Sequence, residues 1–232
     1  MKKVKTATII LAIVVLTGGI IGLSYYFYEE SHFFTTENAQ VSADMVTVTP
    51  EVTGKISEWN VKVGDNVKAG QILGKLDISS LITNTAINSQ ALSSTADAII
   101  SKADIKSPID GKVIQSDVMR GEVVSPGMEL ATIADISNMY IKANVEETSI
   151  FKIKQGQKVD IGIDAYPGRH FTGFVDNIGE ATESVFSVFP TLNTSGEFSK
   201  VTQLIPVRIN IVNESNLKLM PGMNATVRIH IK

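Results

Sequence analysis

Apolar and polar positions follow different periods in successive regions of this chain. From Ala7 to Phe27 there is no charged residue, and Ile, Leu, Val, Ala and Gly dominate. Those 21 residues would run about 32 Å as an α-helix, enough to cross the hydrocarbon core of a bilayer. Lys2, Lys3 and Lys5 stand before the segment and Glu29 and Glu30 after it, which predicts a cytoplasmic amino end. Tyr25-Tyr26-Phe27-Tyr28 stands where a cleaved signal peptide would need small residues, and such aromatics suit a membrane interface. The pattern predicts a cytoplasmic tail over residues 1–6 and a transmembrane helix over 7–28. The bulk of this single-pass cell-membrane protein would then lie on the extracytoplasmic side.

Beyond the anchor, residues 29–41 are polar and read as a stalk, after which the apolar period drops to two. Val46, Val48, Pro50 and Val52 alternate as in a strand, with the proline suited to a sheet edge. A duplication follows. Gly54-Lys55-Ile56, Val61, Gly64-Asp65, Val67, Gly70, Leu73 and Leu76 return as Gly111-Lys112-Val113, Val118, Gly121-Glu122, Val124, Gly127, Leu130 and Ile133, each pair 57 residues apart without a gap. Each copy reads as a few short strands joined by glycine turns, too small to bury its apolar positions alone. Two copies folded face to face make a flattened β-sandwich over residues 42–77 and 104–136.

Residues 78–103 separate the copies. Their apolar positions, Ile78, Leu81, Ile82 and Ala86, then Leu92, Ala96, Ile99 and Ile100, have helical spacing around a reversal at Asn88-Ser89-Gln90. The spacing predicts a helical hairpin with arms of about 10 residues, marginal as isolated helices; a Ser/Thr-rich loop is the alternative. From residue 137 to 232 alternation returns, with Val159, Ile161 and Ile163, then Val207, Ile209 and Ile211, then Val227, Ile229 and Ile231. Strands of this kind between Gly- and Pro-bearing turns predict an antiparallel barrel or sandwich with a membrane-proximal region. One stretch, Gly179 to Lys200, interrupts the alternation and carries Phe186, Phe189 and Phe198, which are candidates for a partner interface or for plugs of the barrel end.

Composition removes several function classes. The chain has no cysteine, so it has no disulfide framework, thiol nucleophile or Cys-based metal site. Setting aside the three amino-terminal lysines leaves 18 of the 21 basic residues against 24 acidic ones, and no basic patch with interleaved aromatics suggests nucleic acid. His32, His170 and His230 lack metal-site spacing or carboxylate neighbours in sequence, and Glu146-Glu147 would point to opposite faces of a strand. Neither a nucleophile elbow nor a phosphate-binding glycine loop occurs. No catalysis, cofactor or metal is expected.

The stretch from Val52 to Asp77, with Val63-Gly64-Asp65-Asn66-Val67-Lys68-Ala69-Gly70, resembles the biotinyl/lipoyl-like half-motif of HlyD-type membrane fusion proteins. Ile105-Lys106-Ser107-Pro108-Ile109-Asp110-Gly111-Lys112-Val113 resembles the start of their second half-motif. The segment from Ser187-Val188-Phe189-Pro190 to Ile205-Pro206-Val207-Arg208-Ile209 is similar to the barrel signature of the EmrA branch. The resemblance implies a mainly β chain: a transmembrane helix, a lipoyl-like sandwich split by a short hairpin, then an antiparallel β-barrel. The half-motif turn residues are Gly54, Gly64, Asp65 and Gly70, and Gly111, Gly121, Glu122 and Gly127. In biotin or lipoate carriers the modified lysine sits between the halves; no Met-Lys-Met occurs here, which argues against a carrier. The resemblance further implies a homo-oligomeric adaptor for export of drugs or amphipathic compounds, partnered with an EmrB-like major facilitator exporter in the same membrane. An ABC exporter as partner, or a pump-independent envelope scaffold, are the alternatives. Family members often carry a far longer hairpin, so an outer-membrane channel is not expected as a partner.

Overall fold

The structure, a computed structural model, describes residues 15–24, 26, 29, 31–78, 102–186, 202–212 and 217–231. It divides into two compact units, one of residues 43–139 and one of residues 1–42 with 140–232. Helical residues run over 15–24 and continue at 26, 29, 31 and 32, directly before strand β1 (Phe33–Ser42). The expected tail 1–6 and residues 7–14, 25, 27 and 28 of the expected span lie outside the described residues. Among the described residues, no helix is long and apolar enough to cross a membrane.

In the unit 43–139 the two halves of the duplication exchange strands. The first half supplies β2 (Met45–Val48), β3 (Gly54–Trp59), β4 (Asn66–Val67) and β5 (Ile72–Asp77). The second supplies β6 (Asp104–Lys106), β7 (Gly111–Ser116), β8 (Val123–Val124) and β9 (Ala131–Ala134). The sheets run β2-β9-β7-β4 and β6-β5-β3-β8, so each is a central pair from one half flanked by two strands of the other. The hydrogen bonds repeat with the sequence. Ile56 N–H donates to the Glu122 carbonyl and Gly121 N–H to that of Ile56, both at 2.8 Å. Their counterparts are Val113 N–H to Asp65 O at 2.9 Å and Gly64 N–H to Val113 O at 2.8 Å. The buried core is paired in the same way: Ile56 with Val113, Val67 with Val124, Leu73 with Leu130, Leu76 with Ile133. Neither half can complete a sheet or a core alone, which is why the motif occurs twice.

One cross-strand pair breaks the symmetry. Trp59 lies opposite Gly74, while its counterpart Ser116 lies opposite Ala131. A Cβ on Gly74 would stand 2.5 Å from Trp59 Cε3, so the indole requires glycine there. The Trp59 Nε1–H donates to Ser116 Oγ at 3.0 Å, joining two equivalent positions of the duplication.

The other unit holds a closed barrel in the order β1-β10-β13-β12-β11-β14. It comprises β1, β10 (Tyr140–Glu146), β11 (Lys158–Ile163), β12 (His170–Ile178), β13 (Leu204–Val212) and β14 (Asn224–His230). Neighbours are antiparallel throughout. Alternate residues point inward, with Ile141, Ala143 and Val145, Val159, Ile161 and Ile163, and Val227 and Ile229 buried, and a barrel this narrow is filled by side chains.

The segment expected as a stalk over residues 29–41 needs correction: from Phe33 onward it is β1, paired with both β10 and β14. Its polar Thr35, Glu37, Asn38 and Gln40 face outward and only Ala39 and Val41 are buried. A register shift between Thr36 and Ala39 breaks the strict alternation. The expected hairpin over residues 78–103 falls almost wholly outside the described residues; Ile78 is buried in the sandwich core and Ala103 lies at its edge.

Candidate functional site

The half-motif residues are turn and close-approach positions. Gly64 and Gly121, at φ 100° and 93°, and Gly70 and Gly127, at φ 80° and 93°, occupy the left-handed region, where a Cβ is costly. Asp65 and Glu122 act alike: Lys62 N–H donates to Asp65 Oδ2 at 2.8 Å, and Met119 N–H to Glu122 Oε2 at 3.1 Å. Each carboxylate closes the turn it follows. Gly111 sits where a Cβ would collide with the backbone of the neighbouring strand, and Gly54 where a Cβ would be tight but not excluded. These residues build the sandwich rather than a pocket. The Phe-bearing loop gives less: Phe186 ends a 3₁₀ turn over Glu183–Phe186, and Phe189 and Phe198 lie outside the described residues.

The barrel's outer wall carries an ordered cluster that the sequence reading missed. His230 has no carboxylate neighbour in sequence, but in the barrel its Nε2 donates to Asp160 Oδ2 at 2.6 Å across β14 and β11. Its ring meets Phe33 edge-on with centroids 4.9 Å apart. Arg228 lies 3.9 Å above that same phenyl ring and pairs with Glu29 at 3.2 Å. A second stack places Arg208 3.7 Å from the centroid of Tyr140, and Lys142 pairs with Glu183 at 2.6 Å. The only hint in sequence is that Asp160, Arg228 and His230 occupy outward positions of alternating strands; which strands adjoin is set by the barrel order. Among the described residues no group of His, Asp or Glu could hold a metal ion.

Burial alone would raise the Asp160 carboxyl, but the His230 hydrogen bond and the charges of His230 and Lys158 outweigh it, leaving it below its ordinary value. A folded-state pKa below the unfolded one stabilises above the unfolded value, near 4, and that contribution is lost as pH falls through the folded one. Asp160→Asn should therefore destabilise the barrel at neutral pH by at most about 1 kcal/mol, as for a partly solvated pair, and so lower its thermal midpoint. The difference from wild type should shrink as thermal melts are taken below about pH 4; a constant difference down to acid pH would contradict the assignment.

The described residues thus build a duplicated, strand-exchanged sandwich and a six-stranded antiparallel barrel. Residues 44–136 match the RND membrane fusion protein barrel-sandwich hybrid domain, and residues 139–229 match the YknX-like β-barrel domain. The chain is 36% identical over 201 residues to the putative efflux system component YhbJ of Bacillus subtilis, covering 87% of this chain and 81% of that protein. It is also 36% identical over 134 residues to the colistin resistance protein EmrA of Acinetobacter baumannii, 57% of this chain but 38% of that one. Its fold superposes on a MacA–MexA chimera carrying the Pseudomonas aeruginosa MexA hairpin, with TM-score 0.69 and 22% identity over 87% of this chain and 82% of the chimera. The chain belongs to the membrane fusion protein family, and EmrA proteins are among its relatives. The family consists of adaptors, not enzymes.

Proposed function

We propose that this chain is the membrane-anchored adaptor subunit of an efflux system and works beside an EmrB-like major facilitator exporter in the same membrane. The observation that carries the reading is the similarity to an efflux component across 87% of the chain, through both units. The named function of the EmrA relative, colistin resistance, favours amphipathic cargo. Anchoring is supported by residues 15–24, where every side chain is exposed, Val15, Leu16, Ile20, Ile21 and Leu23 among them. Such a helix is stable only where something apolar covers it, and a bilayer does so on all sides.

Lateral association of copies has a candidate surface on the sandwich. Met119, Val123 and Met128 are exposed around edge strand β8, while their counterparts in the first half are Lys62, Asn66 and Gln71. The two related faces thus differ in chemistry, as a head-to-tail contact between copies requires. The loop with Phe186, Phe189 and Phe198 is the proposed contact with the exporter.

The test is removal and restoration of the protein in its native cell, read as growth inhibition by a panel of amphipathic compounds. Loss should raise susceptibility and the wild-type chain should restore it, whereas Phe186→Ser with Phe189→Ser should restore it poorly. Purification in mild detergent should bring down a many-spanning exporter with no nucleotide-binding domain. Unaltered susceptibility across the panel, with no exporter recovered, would leave a scaffold instead; recovery of an ATP-binding subunit would reassign the partner.

A further inference from the structure

The loop joining β10 to β11 holds the most exposed large apolar side chain among the described residues, Phe151 at 91%. The exposure is built in. Ile150 and Ile153, on either side, are buried at 8% and 4%, so the space Phe151 would need to fold back is filled. Ile153 N–H donates to Ile150 O at 3.0 Å and Ser149 N–H to Glu146 O at 2.9 Å. The Gln157 side chain ties down the far limb, accepting from Lys154 N–H at 2.9 Å and donating to the Lys152 carbonyl at 3.3 Å. Lys152 and Lys154, both solvent-exposed, flank the ring.

Strand register places this loop at a definite end of the barrel. Glu146 pairs with Leu204, Val159 with Ile229, and His230 with Phe33. The tip therefore shares an end with the start of β1, where the chain arrives from the helical, apolar residues 15–24. Eight residues separate Ser24 from Phe33, a tether that even fully extended spans at most about 30 Å, so that barrel end stays near whatever covers the helix. Val185, 68% exposed, projects from the 3₁₀ turn over Glu183–Phe186 in the β12–β13 connection at the same end. Glu146, Glu147 and Glu180 also lie there, so the end is not strongly basic, and attraction to charged lipid is not the main force.

We infer that this end of the barrel rests on the outer phospholipid surface, with Phe151 entering the headgroup–acyl boundary and Lys152 and Lys154 reaching the phosphates. An aromatic ring flanked by lysines is the side-chain set that partitions to such an interface, the ring leaving water while the ammonium groups stay in it. The contact fixes the tilt of the barrel on its tether, which a single helix would leave free. It rests on the anchor reading proposed above.

The chain has no cysteine, so one substitution gives one labelling position. The full chain carrying Phe151→Cys with a nitroxide label is reconstituted into vesicles of phosphatidylethanolamine with phosphatidylglycerol, or of phosphatidylcholine alone. Met220→Cys, exposed in the connection before β14 at the opposite barrel end, serves as the aqueous control. At 151 the ratio of oxygen to nickel-chelate accessibility should be several-fold higher than at 220 in both lipids. A ratio equal to that at 220, in chains that float with the vesicles, would overturn the contact while leaving the anchor intact. Protection at 151 only when the exporter is co-reconstituted would assign the tip to a protein surface and also overturn it. Chains that fail to float would remove the anchor and the inference together.

Discussion

Gly111→Ala should disable the sandwich, lowering its unfolding free energy by about 3 kcal/mol, whereas Gly54→Ala should cost about 1 kcal/mol. The two glycines are equivalent in the duplication, and sequence alone gives no reason to separate them. Geometry does. A Cβ on Gly111 would lie 2.4 Å from the Ala134 carbonyl oxygen and 2.9 Å from its carbon. Those are backbone atoms of β9, paired to β7 and β2 on its two sides, so they cannot retreat without breaking ladder bonds. At Gly54 the nearest atoms are Asp77 O at 3.0 Å and Leu76 Cβ at 3.1 Å, a tightness that a shift of a few tenths of an ångström relieves. Urea unfolding followed by fluorescence of the single tryptophan, Trp59, reports this unit directly. Equal losses at the two sites would show that β9 gives way as readily as β5.

The duplication was legible because it sits in the apolar and glycine positions that burial and turn geometry constrain most. Strands β3 and β7, and β4 and β8, begin and end 57 residues apart, matching the spacing in the sequence. The exchange of strands between halves was not legible, since β4 and β8 are two-residue strands whose partners lie in the other copy. In the barrel, the alternations at Val159, Val207 and Val227 mark β11, β13 and β14, where inward residues are large and apolar. Strand β1 escaped notice for the opposite reason. Its inward residues are few and small, its outward ones polar, and a register shift interrupts the count. The His230–Asp160 contact joins residues 70 apart and depends on barrel closure, which no local pattern encodes. The surfaces proposed for partners were least legible, because exposed residues are chosen by what they meet rather than by the fold.

Leu73→Ala and Leu130→Ala should each cost about 3 kcal/mol, within the 2–5 kcal/mol range of buried leucine truncations. Both side chains are fully buried, at 0% exposure, in the same core, and they occupy equivalent positions of the duplication. Each truncation removes the same atoms, so a difference between them measures how far each site can collapse. Around Leu73 the neighbouring pair is Trp59 with Gly74, and around Leu130 it is Ser116 with Ala131. The stiff, hydrogen-bonded indole should resist collapse, so Leu73→Ala should be the costlier by a few tenths of a kcal/mol. Calorimetric unfolding of the two variants, with circular dichroism as a check on residual structure, decides the matter. A loss below about 1 kcal/mol at one site with more than 3 kcal/mol at the other, outside the usual scatter for one substitution, would mean that the halves are equivalent in sequence but not in load. The core would then rest on one copy, with the second closing over it.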